Sequence, residues 1–183
     1  MGSLHDCSRH TKMNDFIELI EYNIWASKRL ISQAKDLARE DYVVDTGDCM
    51  NSIRRAFLHM LKADWIWLDL WKGQAIVEYP KAWDQFTLDD IDRVWSDLQT
   101  NILEELNSNF FKRSDDEIGF SNGDEQIRIL KFRQTITLAV DHDTYYRGQI
   151  ANMIELLGFE PVETHLFDYY TRRFAHNGSA PLI

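Results

Sequence analysis

Apolar residues recur at helical spacing over four long stretches of the chain, with polar residues between them. The fourth stretch is the clearest. From Leu138 to Phe159 the apolar positions are Leu138, Ala139, Ile150, Met153, Ile154 and Leu157, the period of one helix face. Gly158 and Pro161 supply its stop. Earlier, Phe16, Ile20, Leu30, Ala34 and Leu37 mark a first helix from about Asn14 to Arg39, with a polar break at Asn23 and Ser27. A second helix, Met50 to Trp71, carries Ile53, Ala56, Phe57, Met60, Ala63, Trp67 and Leu70, and the turn Asp45 to Asp48 offers it an N-cap. A third, Asp90 to Asn107, carries Ile91, Val94, Trp95, Leu98, Ile102 and Leu106 behind a cap at Thr87 or Asp89.

Two runs switch to a shorter period. Glu117 to Phe120 and Gln126 to Ile129 flank Ser121-Asn122-Gly123-Asp124, a turn signal that predicts a small β-hairpin. A lone hairpin is marginal, so it must pack on the helices. The connection from Lys72 to Leu88, with Pro80 and Trp83, is long for a helix-to-helix link and is expected to cover something. Glu163 to Arg173 predicts a short last helix. The fold class that follows is all-α: a four-helix bundle with a short β-hairpin before the fourth long helix and a short C-terminal helix. Residues 1–12 are patternless and expected to be disordered, with Met13 as the expected natural start. Residues 13–176 form one domain and 177–183 a tail.

Composition sharpens this picture. A chain of 183 residues with 44% hydrophobic content fits one domain with a sizeable core. Six tryptophans and ten phenylalanines must be buried or line a cleft. A net charge of −10 argues against a nucleic-acid or anionic-membrane partner, since both need a basic face. The first fifteen residues lack an apolar h-region, so no signal peptide is expected. The stretch Ala56 to Trp71 is too polar and too short to span a bilayer. Cys7 and Cys49 make no metal or disulfide pattern, which fits a reducing cytoplasm. Cys49 lies near the start of the second helix, where a thiolate is favoured, although an inert cysteine is the preferred reading there.

The candidate chemistry sits on the inward stripes. His142 and Tyr146 are one turn apart, about 40° around the helix, with Cβ atoms about 6 Å apart, so both can reach one ion. His59 lies at the edge of the second helix's stripe. Imidazole binds zinc, nickel, iron or copper. Tyrosine is a poor ligand unless ionised. The same positions also suit hydrogen-bonded core histidines and a tyrosine that fills space. Asp141, Asp143 and Asp64 point to other faces and are not direct ligands. Asn23 and Trp25 are expected on the rim of a cleft shared by His59, His142 and Tyr146. Arg147 and Gln149 either line that cleft or cap neighbouring carbonyls.

The residues also carry a resemblance. Phe57-Leu58-His59-Met60-Leu61-Lys62-Ala63-Asp64-Trp65-Ile66-Trp67-Leu68 resembles the helix-two signature of the DinB-like bundle proteins, which are damage-inducible. Asp141-His142-Asp143-Thr144-Tyr145-Tyr146-Arg147-Gly148-Gln149-Ile150 resembles their helix-four signature. Tyr22-Asn23-Ile24-Trp25-Ala26 looks like the helix-one motif, and Leu157-Gly158 through Asp168-Tyr169-Tyr170 is similar to the family's end. The likeness spans about Asn14 to Arg173. It implies a divalent metal, zinc or nickel, on three histidines that correspond to His59, His142 and Tyr146, so the third histidine is replaced here. It also implies a thiol-dependent S-transferase using a low-molecular-weight thiol, or a hydrolase, acting on a small molecule in a stress response. Three expectations therefore stand side by side: a metal-dependent enzyme with a degenerate site; a non-catalytic bundle that binds a small ligand and has lost its metal; and an interaction protein, such as a homodimer through exposed aromatics.

Overall fold

The computed structural model describes residues 3–47, 50–74, 78–121 and 127–176, with the side chains of 3–13, 111, 120, 121 and 174–176 outside that description. Helix α1 is Ser3–Lys35, α2 Arg39–Val43, α3 Ile53–Trp71, α4 Leu88–Arg113, α5 Phe132–Leu156 and α6 Leu166–His176; strands β1 Glu117–Ser121 and β2 Ile127–Lys131 precede α5. Helices α1 and α3 each pack along both α4 and α5. This sets α1 opposite α3 and α4 opposite α5 around one core, a four-helix bundle. The apolar stripes meet there: Leu30 and Ala34 from α1, Phe57 and Met60 from α3, Ile91 and Leu106 from α4, and Ile136 and Ile150 from α5 are all fully buried. No helix among the described residues is long and apolar enough to cross a membrane.

The helix ends follow their local chemistry. Gly158, at φ +88°, closes α5: its N–H donates to Glu155 O at 2.8 Å, and Phe159 N donates to Ile154 O at 3.1 Å. These two bonds satisfy carbonyls that would otherwise be orphaned. Thr87 and Asp90 form a reciprocal capping box at the start of α4. The cap of α3 differs from the sequence expectation. Ser52, not the Asp45–Asp48 turn, accepts the bond from Arg55 N, at 3.3 Å, while Asp45 Oδ1 accepts from Gly47 N and forms a local turn. Asp48 and Cys49 lie outside the described residues. Helix α1 starts at Ser3, ahead of the Asn14 that its stripe marks, and stops at Lys35, leaving the short α2 as a separate turn.

The hairpin is antiparallel, with Ile118 opposite Leu130 and Glu117 opposite Lys131. Ile118 is buried against the bundle while Ile127 and Ile129 face outward. The turn residues Asn122 and Gly123 lie outside the described residues. The long connection before α4 contains a 3₁₀ turn, Lys81–Gln85, whose Trp83 is buried. Trp83 meets the Trp65 ring edge-on at 5.4 Å, with Tyr79 and Phe86 on its other sides, so the connection covers one face of α3. The segment between α5 and α6 is strapped to α1 by side chains. Tyr22 OH donates to Thr164 O (3.0 Å), Arg29 Nε to Glu163 O (3.1 Å) and Gln33 Nε2 to Glu160 O (2.6 Å), while Val162 N donates to Gln33 Oε1 (2.9 Å).

Candidate functional site

His59 on α3 and His142 and Tyr146 on α5 come together in the seam between these neighbouring helices. The two Nε2 atoms are 3.1 Å apart. The Tyr146 ring centroid lies 4.4 Å from that of His59 and 4.7 Å from that of His142, so the phenol closes the third side. All three residues are half-buried. Asn23 is buried one layer deeper and Gln149 is half-buried, two turns beyond His142 on the same face of α5. Trp25 sits elsewhere, on the opposite side of α1, where it packs on Tyr169 at 5.5 Å with the Arg29 guanidinium over its ring.

Behind the imidazoles lies a buried polar chain. Asp143 is fully buried, and its Oδ1 is 3.2 Å from His142 Nδ1. Adjacent residues on a helix diverge by about 100°, yet the short carboxylate bends back to meet the neighbouring ring. With Asp143 accepting from Nδ1–H, His142 offers Nε2 as a lone pair, the arrangement that orients metal-binding histidines. Asn23 Nδ2 donates to Asp143 Oδ2 at 2.6 Å, and Arg147 Nη1 donates to Asn23 Oδ1. Arg147 also donates to Ser27 Oγ (3.3 Å), Tyr22 OH (3.4 Å) and Thr144 Oγ1 (2.8 Å). The polar break seen in the α1 stripe is therefore the socket for a buried guanidinium. Arg147 is the one buried cation among the described residues. Its interior placement goes beyond the two sequence expectations for it: it neither lines an open cleft nor caps a carbonyl.

Two protonation states are shifted here. His59 is held below the usual imidazole range, first by burial and then by His142, with Asp143 opposing and Lys62 adding to the depression. A neutral His59 keeps a lone pair or a single N–H available to its partner. Asp64, one turn beyond His59 and turned into the core, accepts from Trp95 Nε1 at 2.7 Å. Burial, and then the nearby Asp143, push its carboxyl well above the ordinary range, while Trp95 and Arg147 pull it back.

The sign of the resulting pH dependence is fixed. The unfolded chain loses the Asp64 proton near the ordinary carboxylate value of 3.8, whereas the folded chain keeps it, so stability declines as pH rises from there through the raised folded value. Replacing Asp64 by Asn removes this term. Urea unfolding of the variant is expected to lose less stability than the parent as pH rises above about 4, with a difference in slope of up to about 1.4 kcal/mol per pH unit. Parallel curves would show that Asp64 is ionised in the folded protein.

The donor set can be tested against an ion. Two nitrogens 3.1 Å apart, each at a bond length of about 2.05 Å, subtend about 100° at a shared centre, close to tetrahedral. The imidazoles thus fit one ion together. Among the described residues no three His, Cys, Asp or Glu side chains gather around one point, and the ring beside the two imidazoles is that of Tyr146.

Fold and site together define a helical bundle with an imidazole pair seated in one interhelical seam. The family model of the DinB family matches residues 8–175, and the chain belongs to this family. Protein DinB of Bacillus subtilis (strain 168) is 24% identical over 176 residues, an alignment that covers 87% of this chain and 98% of that protein.

Proposed function

We propose that this chain is a metal-dependent enzyme in which His59 and His142 hold a divalent ion, zinc or nickel, with Tyr146 as the weak third side of the site. The reaction class is transfer of a low-molecular-weight thiol to a small electrophile, with hydrolysis as the variant. The observation that carries this reading is the 3.1 Å approach of the two Nε2 atoms with the buried Asp143 behind one of them. An ion held there supplies Lewis acidity and favours the thiolate form of a thiol. The chain's own contribution is orientation. Asp143 fixes the His142 tautomer, Asn23 and Arg147 fix Asp143, and burial keeps His59 neutral and ready to donate a lone pair. The half-buried position of the pair leaves one side open for a substrate.

A second reading has its own observation. Among the described residues two imidazoles meet and no third, whereas catalytic zinc sites ordinarily have three protein ligands. On that reading the seam is a small-ligand pocket, and His59 Nε2–H donates to His142 Nε2. Cobalt(II), a coloured stand-in for zinc, separates the two. Titration of the full chain is expected to saturate at one equivalent with absorption bands of low-coordinate cobalt, and to lose that saturation in His59→Ala and His142→Ala while the helical circular dichroism persists. Absence of saturable binding in the parent protein would leave the ligand-binding reading.

A further inference from the structure

A cavity of about 340 Å³ opens where α2, the start of α3 and the end of the long connection meet. It is at the small end of the range for ligand pockets. Three arginines line it, Arg39 from α2 and Arg54 and Arg55 from the first turn of α3, in a chain whose net charge is −10. Among the described lining residues Asp84 is the one carboxylate, and Lys62 Nζ engages it at 2.6 Å. The local charge is therefore positive against an acidic whole, which focuses anions onto this spot.

The wall is also pre-organised. Arg54 Nη1 donates to the carbonyls of Asp84 (3.1 Å) and Phe86 (3.0 Å), so its guanidinium is held in place before any ligand arrives. Ser52, another lining residue, caps α3 by accepting from Arg55 N, so the N-terminal end of α3, the positive end of its dipole, lies at this wall. Tyr42 and Phe86 add aromatic surface. Guanidinium forks match planar or tetrahedral oxyanions through paired hydrogen bonds.

We propose that this cavity binds the oxyanion end of a small molecule, a carboxylate or a phosphate monoester, with an apolar ring against Tyr42 and Phe86. The site is separate from the imidazole seam and does not rest on the metal reading. Arg55 stands one turn before His59 on α3, so the two sites lie along the same helix.

The test uses the full chain, labelled with nitrogen-15 and titrated with phenyl phosphate in one arm and benzoate in the other. Saturable shifts are expected at the amides of residues 52–55 and 86–87 in at least one arm, and the arm that saturates names the oxyanion. Excess chelator is expected to leave the binding unchanged, which distinguishes it from anion capture by an ion at His59 and His142. Arg39→Gln and Arg39→Ala are each expected to weaken binding about tenfold, the loss of one charge-assisted hydrogen bond. Shifts that grow linearly without saturating in both arms, or equal affinity in parent and variants with native circular dichroism, would overturn the proposal.

Discussion

Replacing Arg147 by methionine is expected to destabilise the bundle by about 3–5 kcal/mol, the cost of breaking a buried charge arrangement from one side. Methionine matches much of the arginine stem, so the loss reports charge rather than volume. Arg147 is 2% exposed and is the buried positive centre of a region that also holds Asp143 and Asp64. Without it Asn23 loses its donor, and Asn23 is the residue that carries the guanidinium's influence to Asp143. The neighbouring hydroxyls of Ser27, Tyr22 and Thr144 lose a shared partner as well. In urea denaturation the midpoint should fall with the slope unchanged, and the thermal midpoint should drop by roughly 10 °C. A loss under about 1 kcal/mol would mean that Asp143 is compensated by other groups.

Converting Tyr146 to histidine is expected to have the largest effect on ion binding. The substitution puts a third imidazole beside two whose Nε2 atoms already lie 3.1 Å apart. Residues 142 and 146 are one turn apart, a spacing that lets both reach a shared point. Losing even a supporting partner of a metal ligand costs about 10–100-fold in affinity, so supplying a missing ligand should tighten zinc or nickel by at least that factor. Competition calorimetry against a chelator measures the gain directly. Equal dissociation constants in the two proteins would show that position 146 does not face the ion, and would remove the idea of a weakened site.

The parts of this architecture that could be read from the sequence are those with a one-dimensional period. The four apolar stripes predicted the bundle helices, and the Thr87 cap, the Gly158 stop and the two short runs before α5 are where they were expected. The meeting of His59, His142 and Tyr146 was also legible, because each lies beside an inward stripe where isolated polar groups are costly. What lay beyond reach was the polar chain behind them. Asp143 reads as off-face from helical arithmetic, and only the bend of a short side chain returns it to His142 Nδ1. Arg147 reads as a cleft-lining or capping residue because burial of a charge depends on partners from another helix, here Asn23 and Ser27 of α1. The polar break in the α1 stripe was the one available signal, and it named the gap without naming what fills it. Trp25 was drawn to the cleft by its nearness in sequence to Asn23. Two residues span about 200° of helix, enough to send its ring to Tyr169 instead.

The strap between α5 and α6 ties this interior to the far end of the chain. Tyr22 gives its single hydroxyl proton to Thr164 O, which leaves its lone pairs turned toward Arg147. The strap is held by side chains of α1 rather than by a backbone ladder, so it and α6 form a unit that can open without unwinding any bundle helix. Were it to open, the Tyr22 hydroxyl would lose its acceptor at Thr164 and be free to turn away from the guanidinium that steadies Asn23 and Asp143. By linkage any such influence would run both ways between the C-terminal segment and the imidazole seam.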